Sequence, residues 1–312
     1  MRPQRIVVLG GTGFVGSQLL PRLRADGHEI LALSRNLTGH HELLRTPGVT
    51  WRSLDVYDRN KLVDALRGAD TVINLVGILN EKGRDGSGFQ RAHVELAEVV
   101  IAGCKAAGVD RLLQMSALNA GRGQSHYLRT RGEAEAQIKA SRLDWTIFQP
   151  SVIFGPGDGL YNRFAGLLRP LPCLPLACAD TKFAPVYVGD VVEAFARALA
   201  RPESVGQSYE LYGPRVLSLR DIVRQTAKAL GRRRLVIPLP DALARLQALC
   251  LDFVPGKPFS SDNYRSLQTD SVGGIDGLFR LGITPKDPAD FVDAIVARSP
   301  RQRRLDHDRL PR

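Results

Sequence analysis

Short apolar runs alternate with stretches of helical spacing through the N-terminal half of the chain. The run Ile-Val-Val-Leu at 6–9 predicts a strand buried on both faces of a parallel sheet. After it Phe14, Val15, Leu19, Leu20 and Leu23 recur at the spacing of one helical face. The pattern repeats, with strands expected at 29–33, 49–54, 71–76 and 111–118 and helices at 59–66, 90–107 and from about Tyr127. Such alternation implies a parallel sheet with right-handed crossovers, so the expected fold class is α/β, doubly wound. Beyond 155 the punctuation changes. A turn at 156–159, a helix at 161–168 and an irregular proline-rich wall at 170–175 are expected. They are followed by a strand at 183–188, a helix to 199 that Asp190 is placed to cap, and a strand at 208–212. A helix at 217–230 opened by Ser218 and a strand at 235–239 complete a small C-terminal α/β lobe. The division is 1–155 for a nucleotide-binding domain, 156–297 for its remaining elements and the lobe, and 298–312 for a basic tail too poor in apolar residues to fold. In 241–254, Leu243, Leu246, Leu249, Cys250 and Phe253 form one stripe. Burial within the lobe is the expected reading; the competing one, given Arg232, Arg233 and Arg234 upstream, is an interfacial helix lying on acidic lipid or a partner.

Composition narrows the class. With 312 residues, 44% hydrophobic and 24% charged, the chain can bury a sizeable core. Its N-terminus runs straight into the first strand, with no apolar stretch before a small-residue cleavage site and nowhere the roughly 20 apolar residues needed to span a bilayer. Cys104, Cys173, Cys178 and Cys250 show neither a CxxC pair nor a metal-ligand spacing, and are expected to be core thiols of a reducing, cytoplasmic compartment; no metal site is expected. The net charge of +11 favours anionic partners. Nucleic acid is not expected among them, since no recognition motif is present and aromatic residues make up only 6%.

Candidate chemistry starts at the first turn. Gly10, Gly13 and Gly16 recur every third residue between strand and helix, so the chain can turn tightly, admit a ligand to its backbone and pack the helix on the sheet. The helix N-terminus then faces an anion, and the turn residues Gly10, Thr12, Gly13, Phe14, Val15 and Gly16 become candidates for holding a dinucleotide pyrophosphate. The second strand ends in Ser34 and Arg35, with no carboxylate to take a ribose 2′-hydroxyl. A hydroxyl and a guanidinium suit a 2′-phosphate, so NADP(H) is expected in preference to NAD(H), the alternative cofactor. Asp55 and Val56 are placed for the adenine, and Leu75, Val76 and Gly77 for the backbone to pass a cofactor ribose. The polar stretch 83–88 reads equally as a lid or as a plain surface loop.

Ser116 ends a strand, and Tyr127 and Arg131 lie four apart at the start of the next helix, so phenol and guanidinium share a face. This resembles the Ser…Tyr-x-x-x-Lys centre of the short-chain dehydrogenases/reductases. With the glycine turn, Asp55, Gly77 and the 148–156 segment, in which Pro150 lies, it resembles the extended or atypical branch. Within that branch the likeness is to the subgroup of the nucleotide-binding accessory subunit nine of the respiratory complex I alpha subcomplex and its bacterial relatives. The resemblance covers nearly the whole chain. It implies a Rossmann sheet of the extended type, NAD(P) binding in which Tyr127, Arg131 and Pro150 also contact the cofactor, and catalytic roles for Ser116, Tyr127 and Arg131. Two departures stand out: Arg131 replaces the family lysine with a bulkier planar fork, and His93, read as a helix-packing residue, stands where extended members often carry asparagine. The resemblance implies either an oxidoreductase acting on a carbonyl or hydroxyl of a small or lipid-like substrate, or a non-catalytic accessory protein. The latter would belong to a respiratory or quinone-related assembly, peripheral on the inner face of the membrane.

Overall fold

The computed structural model describes residues 2–297 except His40 and Gly256; the tail expected at 298–312 lies outside the described residues. Seven strands form one sheet: β1 (Arg5–Leu9), β2 (Glu29–Ser34), β3 (Val49–Ser53), β4 (Thr71–Asn74), β5 (Arg111–Met115), β6 (Asp144–Pro150) and β7 (Gln207–Leu211). Their spatial order is β7-β6-β5-β4-β1-β2-β3, every pair parallel. The order reverses between β1 and β4, which opens a crevice at the strand ends where ligands of such sheets bind. Central strands are apolar on both faces because both are covered. On one side α1 (Phe14–Ala25) supplies Leu19, Leu20 and Leu23. On the other, α2 (Arg59–Leu66), α3 (Leu96–Ala107) and α4 (His126–Lys139) supply Leu62, Leu66, Val100 and Ile138. The first face is completed from the second half of the chain, where the stretch after α5 (Tyr161–Leu168) returns as α6 (Val188–Leu199), bringing Val191 and Phe195 onto Phe148.

The lobe is built from α5, α7 (Leu219–Ala229), α8 (Asp241–Leu251), α9 (Ser261–Ser266) and three two-stranded pairings. Several expectations are corrected here. The 71–76 strand stops at Asn74 and the 111–118 strand at Met115. The 170–175 wall contains a strand, Cys173–Leu176, paired parallel with Leu235–Pro238. The 183–188 strand is two pieces, Lys182–Phe183 and Val186–Tyr187, separated by Pro185, which has no N–H to donate to a ladder. Ser218 does cap α7, reciprocally with Asp221, whereas Asp190 accepts from the Lys286 N–H at 2.8 Å and ties the C-terminal segment to α6. Of the four thiols only Cys104 is buried, and burial pushes it up to about 12; Cys173 and Cys250 are exposed. The 241–254 stripe, expected to be buried, faces solvent.

Candidate dinucleotide site

The crevice floor is the turn after β1. Gly10 has φ +83°, and a Cβ there would stand 3.2 Å from the Leu75 carbonyl carbon and the Val76 nitrogen, so only glycine fits between β1 and β4. The Gly13 N–H donates to the Gly10 carbonyl at 3.0 Å, and a Cβ on Gly16 would meet that oxygen at 2.5 Å. Gly13 is the N-cap of α1; among the described residues no side chain caps the helix, and its first turn carries no acidic residue. Thr12, Phe14 and Val15 are half-buried around this opening. The positive end of the dipole therefore faces the crevice without an internal anion.

At the end of β2, Ser34 Oγ lies 3.3 Å from Thr12 Oγ1 and donates to the Asn36 carbonyl at 3.0 Å. Arg35 is exposed, and its guanidinium has no partner among the described residues. Asp55, also exposed, accepts from the Tyr57 N–H at 3.2 Å and shapes the turn that follows β3, while Val56 is buried. At the end of β4 an element the sequence reading missed takes over. Asn74 Nδ2 donates to Gln114 Oε1 at 2.9 Å, Asn74 Oδ1 accepts from the Val76 N–H at 3.1 Å, and Gln114 Nε2 donates to the Met115 carbonyl at 2.7 Å. This buried amide chain steers Leu75, Val76 and Gly77 off the sheet and over the crevice. Its signal in sequence is a pair of amides inside apolar strands.

Tyr127 and Arg131 do come together. Arg131 is buried, donates through Nη1 to the Met115 carbonyl at 3.0 Å, and lies 5.6 Å from the Tyr127 ring centroid. A Cβ on Gly77 would fall 2.0 Å from Arg131 Nη2, so the guanidinium packs directly against the Gly77 backbone. The Tyr127 ring meets Phe89 edge-on at 6.0 Å and His93 edge-on at 5.5 Å, and its hydroxyl has no hydrogen-bond partner among the described residues. Helix α4 begins with Ser125 as N-cap, and Asp262 of α9 accepts from the His126 and Tyr127 N–H groups at 2.7 and 3.1 Å. The lobe thereby fixes the helix end that carries Tyr127.

His93 packs between helices, as expected. It lies in a π-helical segment, Gln90–Glu95, that leads into α3. Its Nδ1 is 2.8 Å from Thr130 Oγ1, which itself donates to the His126 carbonyl at 2.8 Å. The ring's Nε2 is buried and has no hydrogen-bond partner among the described residues. Burial first, and the Arg131 charge second, pull this imidazole down to about 2. Arg131 Nε is likewise buried without a partner among the described residues.

Ser116 is directed elsewhere. Its Oγ donates to buried Glu135 at 2.6 Å, and Glu135 also receives Gln149 Nε2 at 2.8 and 2.9 Å and Lys139 Nζ at 3.1 Å. The proton of Ser116, to which the resemblance gives a catalytic role, ties the residue after β5 to α4. Pro150 is buried at the end of β6, where its carbonyl accepts from the Leu118 N–H at 2.9 Å. In the 83–88 stretch, buried Glu81 accepts from the Gly86 and Gly88 N–H groups, both at 2.8 Å, so this wall is hydrogen-bonded from within.

The residues present fit a nicotinamide dinucleotide: glycines hold open a backbone cradle that any Cβ would fill, and two buried polar atoms beside Tyr127 await partners. A doubly wound sheet with this turn at its switch point and a tyrosine and arginine one helical turn apart defines a short-chain dehydrogenase/reductase architecture. The family model described as NAD(P)H-binding matches residues 10–163. The chain is 28% identical over 277 residues to the mitochondrial NADH dehydrogenase (ubiquinone) 1 alpha subcomplex subunit 9 of Arabidopsis thaliana, covering 86% of this chain and 68% of that one. It is 26% identical to the 2-alkyl-3-oxoalkanoate reductase of Stenotrophomonas maltophilia, covering 79% and 82%. In fold it matches an NADPH-dependent quinone oxidoreductase of Escherichia coli, solved with NADPH, at a TM-score of 0.75 and 20% identity over 93% and 99% of the two chains. The chain thus resembles the extended short-chain dehydrogenases/reductases, and its residues 10–163 match an NAD(P)H-binding family model.

Proposed function

We propose that the crevice binds NADP(H) and that the protein is an oxidoreductase working on a carbonyl or hydroxyl group. The observation that carries this reading is the Tyr127 phenol, whose hydroxyl has no partner among the described residues and whose ring centroid lies 5.6 Å from a buried guanidinium packed under Gly77. In this reading the α1 N-terminus and its glycine turn hold the pyrophosphate, Ser34 and Arg35 a 2′-phosphate, Asp55 and Val56 the adenine, and Leu75 to Gly77 with Pro150 and Arg131 the nicotinamide half. The bound nicotinamide supplies or receives the hydride. Tyr127 gives or takes the proton at its phenolic oxygen, and Arg131 stabilises negative charge developing there. Ser116, its proton held by Glu135, enters as an acceptor and as a brace for the strand end.

A second reading is an accessory protein whose bound dinucleotide is not turned over, held by a respiratory or quinone-related assembly at the inner face of the membrane. The Ser116–Glu135 bond favours it, because a substrate oxygen then lacks one of its two donors, and so does the likeness to the complex I subunit. Among the described residues no helix is long and apolar enough to cross a membrane, so such an association is peripheral in this reading. Mass spectrometry of the nucleotide released from purified protein, followed by a carbonyl-substrate screen for NADPH oxidation, separates the two. Turnover by the wild type supports the enzyme. Retained NADPH with no turnover by wild type or Arg131→Lys moves the assignment to the accessory role, and failure to bind either dinucleotide removes both.

A further inference from the structure

Helix α8 is turned inside out. Its inward face is made by Ala244 and Ala248, packed on Ala177 and Tyr264. Leu243, Leu246 and Leu249 are 50–55% exposed, Cys250 is exposed, and Phe253 just past the helix end is 70% exposed. At helical spacing these residues fall on one face, forming a contiguous apolar ridge of the kind that marks an interaction surface. At the ridge's end Arg84 lies over the Phe253 ring at 4.5 Å. With Lys257 and Arg265 it lines a cavity of about 190 Å³ that also touches Leu249.

The acids of that cavity are already engaged. Glu81 holds the Gly86 and Gly88 N–H groups, Asp252 the Ser261 N–H and hydroxyl, and Asp262 the His126 and Tyr127 N–H groups. None of the three cations forms an ion pair among the described residues; Lys257 donates to the Gly83 carbonyl. Arg232 and Arg234, by contrast, are used internally, donating to the Arg169 and Leu168 carbonyls at the end of α5. An exposed leucine ridge ending in unpaired cations has the chemistry of an interfacial helix on an anionic bilayer, leucines at the acyl boundary and guanidinium groups at the phosphates. We propose that α8, with Phe253 and the Arg84–Lys257–Arg265 rim, docks the protein on an anionic phospholipid surface. Phe89, which lines the same cavity, packs edge-on against Tyr127, so the docked face adjoins the dinucleotide site.

The test is co-sedimentation of the full chain with phosphatidylcholine vesicles, with and without phosphatidylserine. Binding is expected to the acidic vesicles only, and to weaken as salt rises to physiological strength, where the screening length is about 8 Å. Leu243→Gln with Leu246→Gln is expected to lower partitioning by about 10-fold or more while NADPH affinity and Tm stay unchanged, since the leucines already face water. Arg84→Glu with Arg265→Glu is expected to abolish it. The Phe253→Trp indole is expected to shift to the blue on acidic vesicles and to be quenched by brominated acyl chains. No binding at low salt overturns the proposal. So does binding that the leucine pair leaves intact, which is adsorption by net charge alone. Light scattering that finds a dimer dissolved by the leucine pair, without vesicle binding, assigns the ridge to a second copy and overturns it as well.

Discussion

Arg131 and Gly77 are two halves of one contact: with a Cβ on Gly77 2.0 Å from Nη2, the guanidinium keeps its place only while position 77 has no side chain. The spacing of Tyr127 and Arg131 was legible because it is local, one helical turn. What surrounds them was not, because it is contributed by residues far off in sequence. Thr130 reaches His93 across 37 positions, and Asp262 reaches His126 across 136. His93 has a consequence for acid stability. Its folded value of about 2 lies below the roughly 6.5 of an unfolded histidine, so the unfolded chain binds a proton the folded one refuses. The sign is therefore fixed: the neutral imidazole's contribution is fully present above about pH 6.5 and is lost as pH falls, at up to ~1.4 kcal/mol per unit. Buried His28, also lowered mainly by burial, acts in the same direction, so the comparison is made against a variant. Urea midpoints at pH 7 and pH 5 should show the wild type losing ~1–2 kcal/mol more than His93→Gln; equal losses would mean His93 is not held neutral. Arg35 offers a second residue-level outcome. Exposed and without an ion-pair partner among the described residues, it is expected to favour NADPH over NADH by about 1.5 kcal/mol, the low end for a charged hydrogen bond. Calorimetry on Arg35→Ala should erase most of that gap, and equal wild-type affinities would refute the 2′-phosphate assignment.

At the level of elements, the sheet was legible and the lobe only in part. Strands β1, β2 and β4 are covered on both faces, which leaves continuous apolar runs as their signature. Their ends were misread because Leu75 and Val76 prolong the apolar run while the Asn74–Gln114 amide pair ends the ladder. Pro172 and Pro175 suggested an irregular wall, yet a two-stranded pairing leaves one strand edge free, where a missing N–H is no loss; the cross-strand bonds run instead from Leu235 N–H to the Pro172 carbonyl and from Leu239 N–H to the Leu176 carbonyl. Periodicity located the α8 stripe correctly and its partner wrongly, since spacing identifies a face without saying what covers it; the alanines on the other side are what let α8 approach Tyr264. The short helix α9 matters beyond its length because buried Asp262 satisfies two N–H groups at the start of α4. Asp262→Ala is expected to cost about 1–2 kcal/mol, as for a lost helix cap, and to raise the KM of any turned-over substrate by loosening Tyr127. An unchanged denaturation midpoint would show that water replaces the carboxylate.

At the scale of the whole molecule, the crevice lies between sheet ends whose contacts span the chain, so a dinucleotide there acts on global stability as well as on chemistry. A ligand that binds only the folded state stabilises it by RT ln(1 + [L]/Kd), about 2.7 kcal/mol at a hundredfold excess over Kd. NADPH is therefore expected to raise Tm in a concentration-dependent way. Gly13→Val should remove that shift. Gly13 is the N-cap of α1 and a Cβ there already stands 3.2 Å from the Gly10 carbonyl, so a branched side chain would fill the space the pyrophosphate needs. Because Gly13 has φ −76°, the substitution adds no backbone strain, and the apo variant should still fold. Tyr127→Phe makes the complementary test. It removes an oxygen that has no hydrogen-bond partner among the described residues, so the NADPH-dependent shift should survive. In the oxidoreductase reading turnover should fall at least ~10²-fold, the lower end for a lost acid or base. In the accessory reading there is no turnover to lose, and the Tm shift, with whatever assembly it supports, is the whole effect of the nucleotide. A Tm shift that persists in Gly13→Val would place the dinucleotide elsewhere on the chain and undo both readings together.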